Sequence, residues 1–308
     1  MARAALFSRK QPGGVFTISE IERQPGSVFF VHSGTGTDGA GYGQNPDAPL
    51  ATLDYAVGLC TADKGDKIYC LPGHAEDVAA ASAVDIDVAG ISVIGLGNGN
   101  NRAKFTGITG AGATIEINGA NIRLENLIFV AGFTNGLTQF VDVKTASDDL
   151  VFKNCEWREL LNTQEFLVAV TIEATQSRIT FDGCRFKSII GGDSLAAIKT
   201  EGAITDLVVK NCSFNGDWLD AVIDADATAI TTPEFYDLYI RNADPTNGFG
   251  ITIDAATIAS VANCVILTQK ANTVPVAVVT ASFFANVIGT DVAATQGIPL
   301  PAAATAWT

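Results

Sequence analysis

The chain has 308 residues and is 47% hydrophobic, enough to bury a large core. Only 17% of residues are charged and 30 are glycine, a balance that suits an all-β chain. The formal net charge of −14 argues against nucleic acid and anionic membranes as partners, because phosphate binding needs a basic face.

The first segment, residues 1–26, reads as an arm. Its first eighteen residues hold Arg3, Arg9 and Lys10 and no acid, in contrast to the acidic body. Pro12-Gly13-Gly14 and Pro25-Gly26 break it into an extended strap. Such a segment cannot build its own core and is expected to order on a partner. Arg3, Arg9 and Lys10 suit acidic groups on that partner, and Val15, Phe16 and Ile18 suit pockets or a sheet edge. The opening MARAALFSRK has no apolar core long enough for a signal peptide, and no run reaches membrane length. Assembly in a cytoplasm with reduced thiols is therefore expected.

Residues 27–66 read as a cap: a strand, a Gly-rich loop, then one amphipathic helix over Leu50–Ala62 with Leu53, Ala56, Val57 and Cys60 at i, i+3, i+4, i+7. A solenoid must close its first rung, and this helix is expected to lie across it.

Residues 67–267 carry a repeat. Five segments align without gaps: IRLENLIF from Ile122, LVFKNCEW from Leu150, ITFDGCRF from Ile179, LVVKNCSF from Leu207 and LYIRNADP from Leu238. Weaker copies start at Ile91 and Ala259, giving spacings of 31, 28, 29, 28, 31 and 21 residues. Apolar residues fall at offsets 0, 2, 5 and 7, so the parity changes once. Each copy is then two short strands joined by a bend, both facing one interior. The bend carries Asn126, Asn154, Asn211, Asn242 and Asn263, with Gly95 and Gly183 in the other copies. Asn and Gly tolerate left-handed backbone, and stacked copies would bring the Asn side chains within hydrogen-bonding reach. A further strand precedes each copy, as in TIEIN, FVDVK and AVTIE. Three strands per turn of about 28 residues describe a right-handed parallel β-helix with rungs roughly 4.8 Å apart. A leucine-rich repeat has a similar period but needs denser leucine and an outer helical segment, which are missing here.

The run from Val28 to Val78, with its Gly/Asp loop, Asn45-Pro46 before the cap helix and GDKIYCLPG entering the first rung, resembles the start of pectate-lyase-like β-helix proteins. The resemblance extends to about Leu267. The fold hosts lyases, hydrolases and structural proteins, so it implies little about activity. The segments FVHSGTG, GYGQNPDAP and GLCTADKGD are similar to β-helix proteins encoded in tailed-phage structural gene clusters. That similarity implies a virion protein on the capsid exterior, with the major capsid protein and further copies of itself, as a homotrimer, for partners. The alternatives are a tailspike-like polysaccharide lyase or glycoside hydrolase, and a non-catalytic carbohydrate-binding fibre module.

The most acidic stretch, NGDWLDAVIDADA, holds Asp217, Asp220, Asp224 and Asp226. It is the place to look for a carboxylate pair if the chain is an enzyme; otherwise it is a solvated acidic face, and no catalytic residue is expected. His74 reads as a turn or surface histidine. Glu116, Lys144, Glu173 and Glu201 each precede a copy by six residues and would form a column of cross-strand ion pairs. Cys155, Cys184, Cys212 and Cys264 share an inward offset and read as a buried ladder. Phe129, Trp157, Phe186 and Phe214 share another and read as a core stack. The cysteines form no CxxC pair, so neither a zinc site nor a redox motif is expected; no cofactor and no metal is assigned, with a Ca²⁺ ion on the acidic stretch 217–226 as the open alternative.

Residues 268–308 depart from the repeat. Between Ala271 and Thr308 there is one charged residue, Asp291. An apolar segment of this kind is expected to pack against the β-helix or against sister subunits in an oligomer.

Overall fold

The computed structural model describes residues 26–269 except 145, 174, 247 and 255, together with short strands at 7–9, 16–18, 276–277, 283–285, 287–290 and 298–300. The chain winds into a right-handed parallel β-helix with three sheets. The first sheet runs through strands such as Val28–Val31, Lys67–Cys70, Arg123–Glu125, Val151–Lys153 and Ile204–Lys210. The second holds Ala75–Val78, Ile128–Ala131, Glu156–Glu159, Arg185–Lys187 and Ser213–Gly216. The third holds Val84–Ile86, Ile115–Ile117, Leu137–Val143, Phe166–Ile172, Ala196–Thr200, Ala221–Ala225 and Phe249–Ile253.

Parallel registry puts like residues in columns. Leu124, Phe152, Phe181 and Val209 stack inside the first sheet, one per rung. Inside the second, Phe129, Trp157, Phe186 and Phe214 are buried, with successive ring centroids 4.8, 4.4 and 4.8 Å apart. These separations match the ~4.8 Å spacing of strands, so one hydrogen-bonded ladder sets both backbone pairing and ring stacking.

The bend between the first and second sheets is left-handed at Asn126, Asn154, Gly183, Asn211 and Asn263, with φ of 59°, 53°, 69°, 54° and 54°. Each amide points along the rod: Asn126 N donates to Lys153 O at 2.9 Å and Asn154 N to Asp182 O at 2.9 Å. The side chains do not form one amide column. Asn126 Nδ2 reaches Gly95 O at 2.7 Å, and Asn211 Nδ2 reaches Asp182 Oδ1 at 2.9 Å. Asn242 does not belong to this series. Tyr239–Asn242 pairs with Ser213–Gly216 in the second sheet, and Asp237, φ 55°, occupies the bend. The copy therefore starts at Pro233, not Leu238, and the last two spacings become 26 and 26 residues. The apolar residues of LYIRNADP fit the repeat pattern in two phases, and pairing with Ser213–Gly216 selects the one that starts at Pro233. Asn242 is 1% exposed, and its amide group bonds the backbone of Trp218, Asp244 and Phe249.

A second left-handed series was not anticipated. Gly90, Asn121, Asp149, Arg178, Asp206 and Thr232 each stand immediately before a first-sheet copy, with φ between 50° and 76°. Their side-chain chemistry varies too much to show as a motif. In the copies from Ile122, Leu150, Ile179, Leu207 and Pro233 the sheet is thus entered and left through left-handed residues, five positions apart, whereas Gly95 at the earlier bend is not left-handed.

The cap helix is shorter than expected, Leu53–Val57. Leu50 instead extends the sheet edge, bridging Val31 in parallel. Thr52 Oγ1 accepts from Tyr55 N and closes the helix N-terminus, while Gly58 ends it. Leu53, Ala56 and Val57 are buried, and Cys60 packs partly against the core. Acidic side chains fasten this cap by accepting backbone amides: Asp38 from Ala51 and Thr52, Asp66 from Ser27 and Thr61, Glu76 from Leu53. His74 is 1% exposed rather than a surface residue. Ser33 N donates to its Nδ1 at 3.0 Å, and its Nε2 lies 3.1 Å from Glu76 Oε2.

At the other end the coil runs past residue 267. Val276–Ala277, Phe283–Ala285 and Val287–Thr290 each add in parallel to one of the three sheets. In the arm, Phe7–Arg9 pairs antiparallel with Phe16–Ile18. Arg9, Phe16 and Ile18 stand in those strands; Arg3, Lys10 and Val15 lie outside the described residues, as does most of 268–308.

Candidate functional site

Charge concentrates on the outer face of the third sheet. Its registry places Asp85, Glu116, Asp142, Thr171, Lys199, Asp224 and Thr252 in one outward column. Extending it two residues gives a second column, Asp87, Asn118, Lys144, Glu173, Glu201, Asp226 and Asp254. Glu116 does not sit in the column of Lys144, because the turn leading to Ile122 is two residues shorter than that leading to Leu150. Glu116 instead bonds Ser82 Oγ at 2.5 Å.

Lys144 Nζ lies against Asp142 and is 2.7 Å from Glu173 Oε1. Gln139 Nε2 donates to Asp142 Oδ2 at 2.6 Å, while Asp142 Oδ1 is buried without a partner. Burial pushes the Asp142 carboxyl up, against the pull of Lys144. Burial would lower the Lys144 ammonium, but its two carboxylate partners hold it above its ordinary range.

Of the four acids singled out in the sequence, two come together. Asp224 is 8% exposed; Thr252 Oγ1 donates to its Oδ1 at 3.1 Å, and Lys199 Nζ is 3.7 Å from its Oδ2. Asp226, exposed, is pushed up by burial and by a hydrogen bond with Asp224, against the pull of Lys199. Asp220 is exposed on the approach to the strand. Asp217 turns away into the corner between the second and third sheets, where its Oδ2 accepts from Gly191 N at 2.8 Å.

That corner holds two buried acids with no sequence signature. Glu159, 3% exposed, accepts from Phe166 N, Ile189 N and Ser194 Oγ at 3.1, 2.9 and 2.8 Å. Burial nevertheless pushes its carboxyl up. Glu165 Oε2 accepts from Asp193 N, and burial raises that carboxyl too. Each acid ties its own loop to that of the next rung. A charged residue at the end of an alternating strand was the available hint, and it looks like any exposed acid.

The four cysteines of the repeat, Cys155, Cys184, Cys212 and Cys264, are at most 2% exposed. Each thiol faces the carbonyl of an apolar first-sheet residue one rung below, Leu124, Phe152, Phe181 and Phe235, at 3.5–3.7 Å. Leu238 separates Cys264 from the other three. Burial raises the thiol of Cys184 well above its ordinary value and that of Cys264 to about 11, which disfavours the thiolate at both. Among the described residues no group of three or more His, Cys, Asp or Glu is placed to hold a metal ion.

No family model and no curated protein matches the sequence. Solved structures do. A pectin methylesterase from Aspergillus niger, in penultimately deglycosylated form, superimposes with a TM-score of 0.50 at 14% identity, covering 88% of this chain and 91% of that one. A rhamnogalacturonan lyase aligns with a TM-score of 0.45 at 13% identity, covering 89% and 90%. The likeness is one of fold. At such identity the parallel β-helix is shared and the chemistry is not carried with it.

Proposed function

We propose that this chain is a structural protein of a virus particle, a decoration (cement) protein on the capsid exterior of a tailed bacteriophage, assembled in the host cytoplasm. The observation that carries this reading is how the outer charges are spent. Lys144 braces Asp142 and Glu173, Lys199 meets Asp224, Arg178 meets Asp149 and Lys210 meets Asp182, each tying one rung to the next. Such pairing stiffens a rod along its axis, whereas a substrate-binding face keeps its charges available. The basic start of the arm and the apolar end of the chain supply the attachments: the arm to the major capsid protein, and the last rung, to which residues 276–277, 283–285 and 287–290 add strands, to sister chains in a homotrimer. Deleting residues 2–26 is expected to leave a folded trimer that no longer binds capsids. Full occupancy of particles by the truncated trimer would remove the arm as anchor.

A second reading, a polysaccharide lyase or glycoside hydrolase, is favoured by the Asp224–Asp226 pair. A carboxyl shifted above its usual range, as at Asp226, is what general-acid cleavage of a glycosidic bond calls for. A panel of acidic and neutral polysaccharides tests it. Turnover that disappears in Asp224→Ala or Asp226→Ala protein would put the enzyme first; binding without turnover would point to the carbohydrate-binding module.

A further inference from the structure

The second and third sheets present opposite charge to solvent. Past its first strand, the outward positions of the second sheet hold five bases, Lys104, Arg158, Arg185, Lys187 and Arg241. They hold one acid, Glu156, which Arg102 and Arg158 neutralise. The two outward columns of the third sheet hold nine acids against Lys144 and Lys199. Part of this charge has no counter-ion on its own rod. Among the described residues Arg185, Lys187 and Arg241 form no ion pair, and neither do Glu201, Asp226 and Asp254. All six but Asp254 are exposed. The two sets stand at matching heights. Lys187, Asn215 and Arg241 follow one another up the second sheet, and Glu201, Asp226 and Asp254 follow one another up the third. The chain passes round the corner from Lys187 to Glu201, from Asn215 to Asp226 and from Arg241 to Asp254. Each acid therefore lies only about a third of the ~4.8 Å rung above its counterpart.

We propose that copies of this chain associate side by side with parallel axes, the basic second-sheet face of one against the acidic third-sheet face of the next. On one rod the two faces look in different directions, so their unpaired charges cannot meet. Between two rods at the same height they can: Lys187 stands opposite Glu201, Asn215 opposite Asp226 and Arg241 opposite Asp254. The occupant is a second copy because the complement is carried by the chain itself, at the same rung period and in step. Two bodies of net charge −14 repel in most orientations, and this orientation sets a local attraction against that repulsion. Exposed ion pairs contribute little each, so the faces decide which surfaces meet more than how tightly they hold. The contact is heterologous, joining two different faces, and repeated around an axis it closes a ring. The inference rests on the homotrimer of the proposed function and names the faces that meet in it.

The test reverses charge on one face at a time in full-length protein: Lys187→Glu with Arg241→Glu on the second sheet, or Glu201→Lys with Asp226→Lys on the third. All four positions are exposed, so circular dichroism should match wild type. Mass photometry across a dilution series is expected to show either pair of changes raising the dissociation concentration about tenfold or more, because like charges then face each other. A chain carrying all four changes exchanges the signs of the two faces and should regain association to within about threefold of wild type. Weakened association without that rescue overturns the pairing of the two faces. An oligomer indifferent to both reversals also overturns it and leaves the homotrimer standing, whereas a wild-type monomer at micromolar concentration overturns both. Disulfide trapping reads the faces directly. Asn215→Cys chains mixed with Asp226→Cys chains should cross-link on oxidation, and neither should do so alone. Efficient linkage of Asn215→Cys chains to one another would mean that two second-sheet faces meet, and would overturn the proposal.

Discussion

The inner and outer columns of the coil obey opposite rules. Inside, a column repeats its chemistry: Phe129, Trp157, Phe186 and Phe214 stack face to face in successive rungs. Outside, on the third sheet, the column changes at almost every step, through Asp85, Glu116, Asp142, Thr171, Lys199, Asp224 and Thr252. The same rung spacing causes both. Apolar rings at ~4.8 Å gain contact from identical neighbours, whereas identical charges at that distance repel. Where the outer column does place acids in series, at Asp85, Glu116 and Asp142, burial and mutual repulsion push the carboxyls of Asp85 and Asp142 up. A parallel β-helix can thus be monotonous inside but must be varied outside, and its distinguishing residues are outward ones.

The widest test of that contrast is a cavity in the inner stack. Trp157→Ala is expected to lose about 3–5 kcal/mol in denaturant unfolding, since the rungs above and below cannot close on each other without breaking registry. A loss below ~1 kcal/mol would mean that the column is not close-packed. Next comes the bend that turns inner residues from one sheet to the next. Asn211→Val forces a β-branched residue into left-handed backbone and should cost about 1–2 kcal/mol, while Asn211→Gly should stay within a few tenths. Equal costs for the two would show that the amide side chain, not φ, is what matters.

The outer acids predict a smaller, pH-dependent effect. The carboxyls of Asp142, Glu159 and Asp226 are raised in the folded chain, so the native state binds more protons than the unfolded chain in the range between the two values. Stability should therefore fall as pH rises from the ordinary carboxylate range through that interval, and protein at about pH 5 should melt above protein at pH 7. Asp226→Asn should melt at or above wild type at pH 7, with the difference closing as pH falls and wild-type Asp226 takes up its proton. Asp149, lowered by its hydrogen bond to Arg178, acts in the opposite sense, but only at more acid pH. The smallest expected effect is at an outer ion pair: Lys144→Ala should cost about 1 kcal/mol or less, shrinking in high salt. A cost matching that of Trp157→Ala would break the contrast between inside and outside.

Alternation with one change of parity, as in LVFKNCEW and LVVKNCSF, determined by itself that each copy is two strands around a bend facing one interior, because side chains on a strand point alternately to opposite faces. The columns of cysteine and aromatic residues follow from the same count. The reading failed where sequence distance had to stand in for spatial registry. The pattern in LYIRNADP is apolar in two phases, and only pairing with Ser213–Gly216 decides between them. Glu116 and Lys144 share an offset but not a column, because the turns between third and first sheets differ in length. Glu159, Glu165 and His74 are ordinary polar residues in the sequence; loops from neighbouring rungs bury them and fix their partners. Strand periodicity is local and is written in consecutive residues. Registry and burial are settled only when the ladder of backbone hydrogen bonds sets one rung on the next.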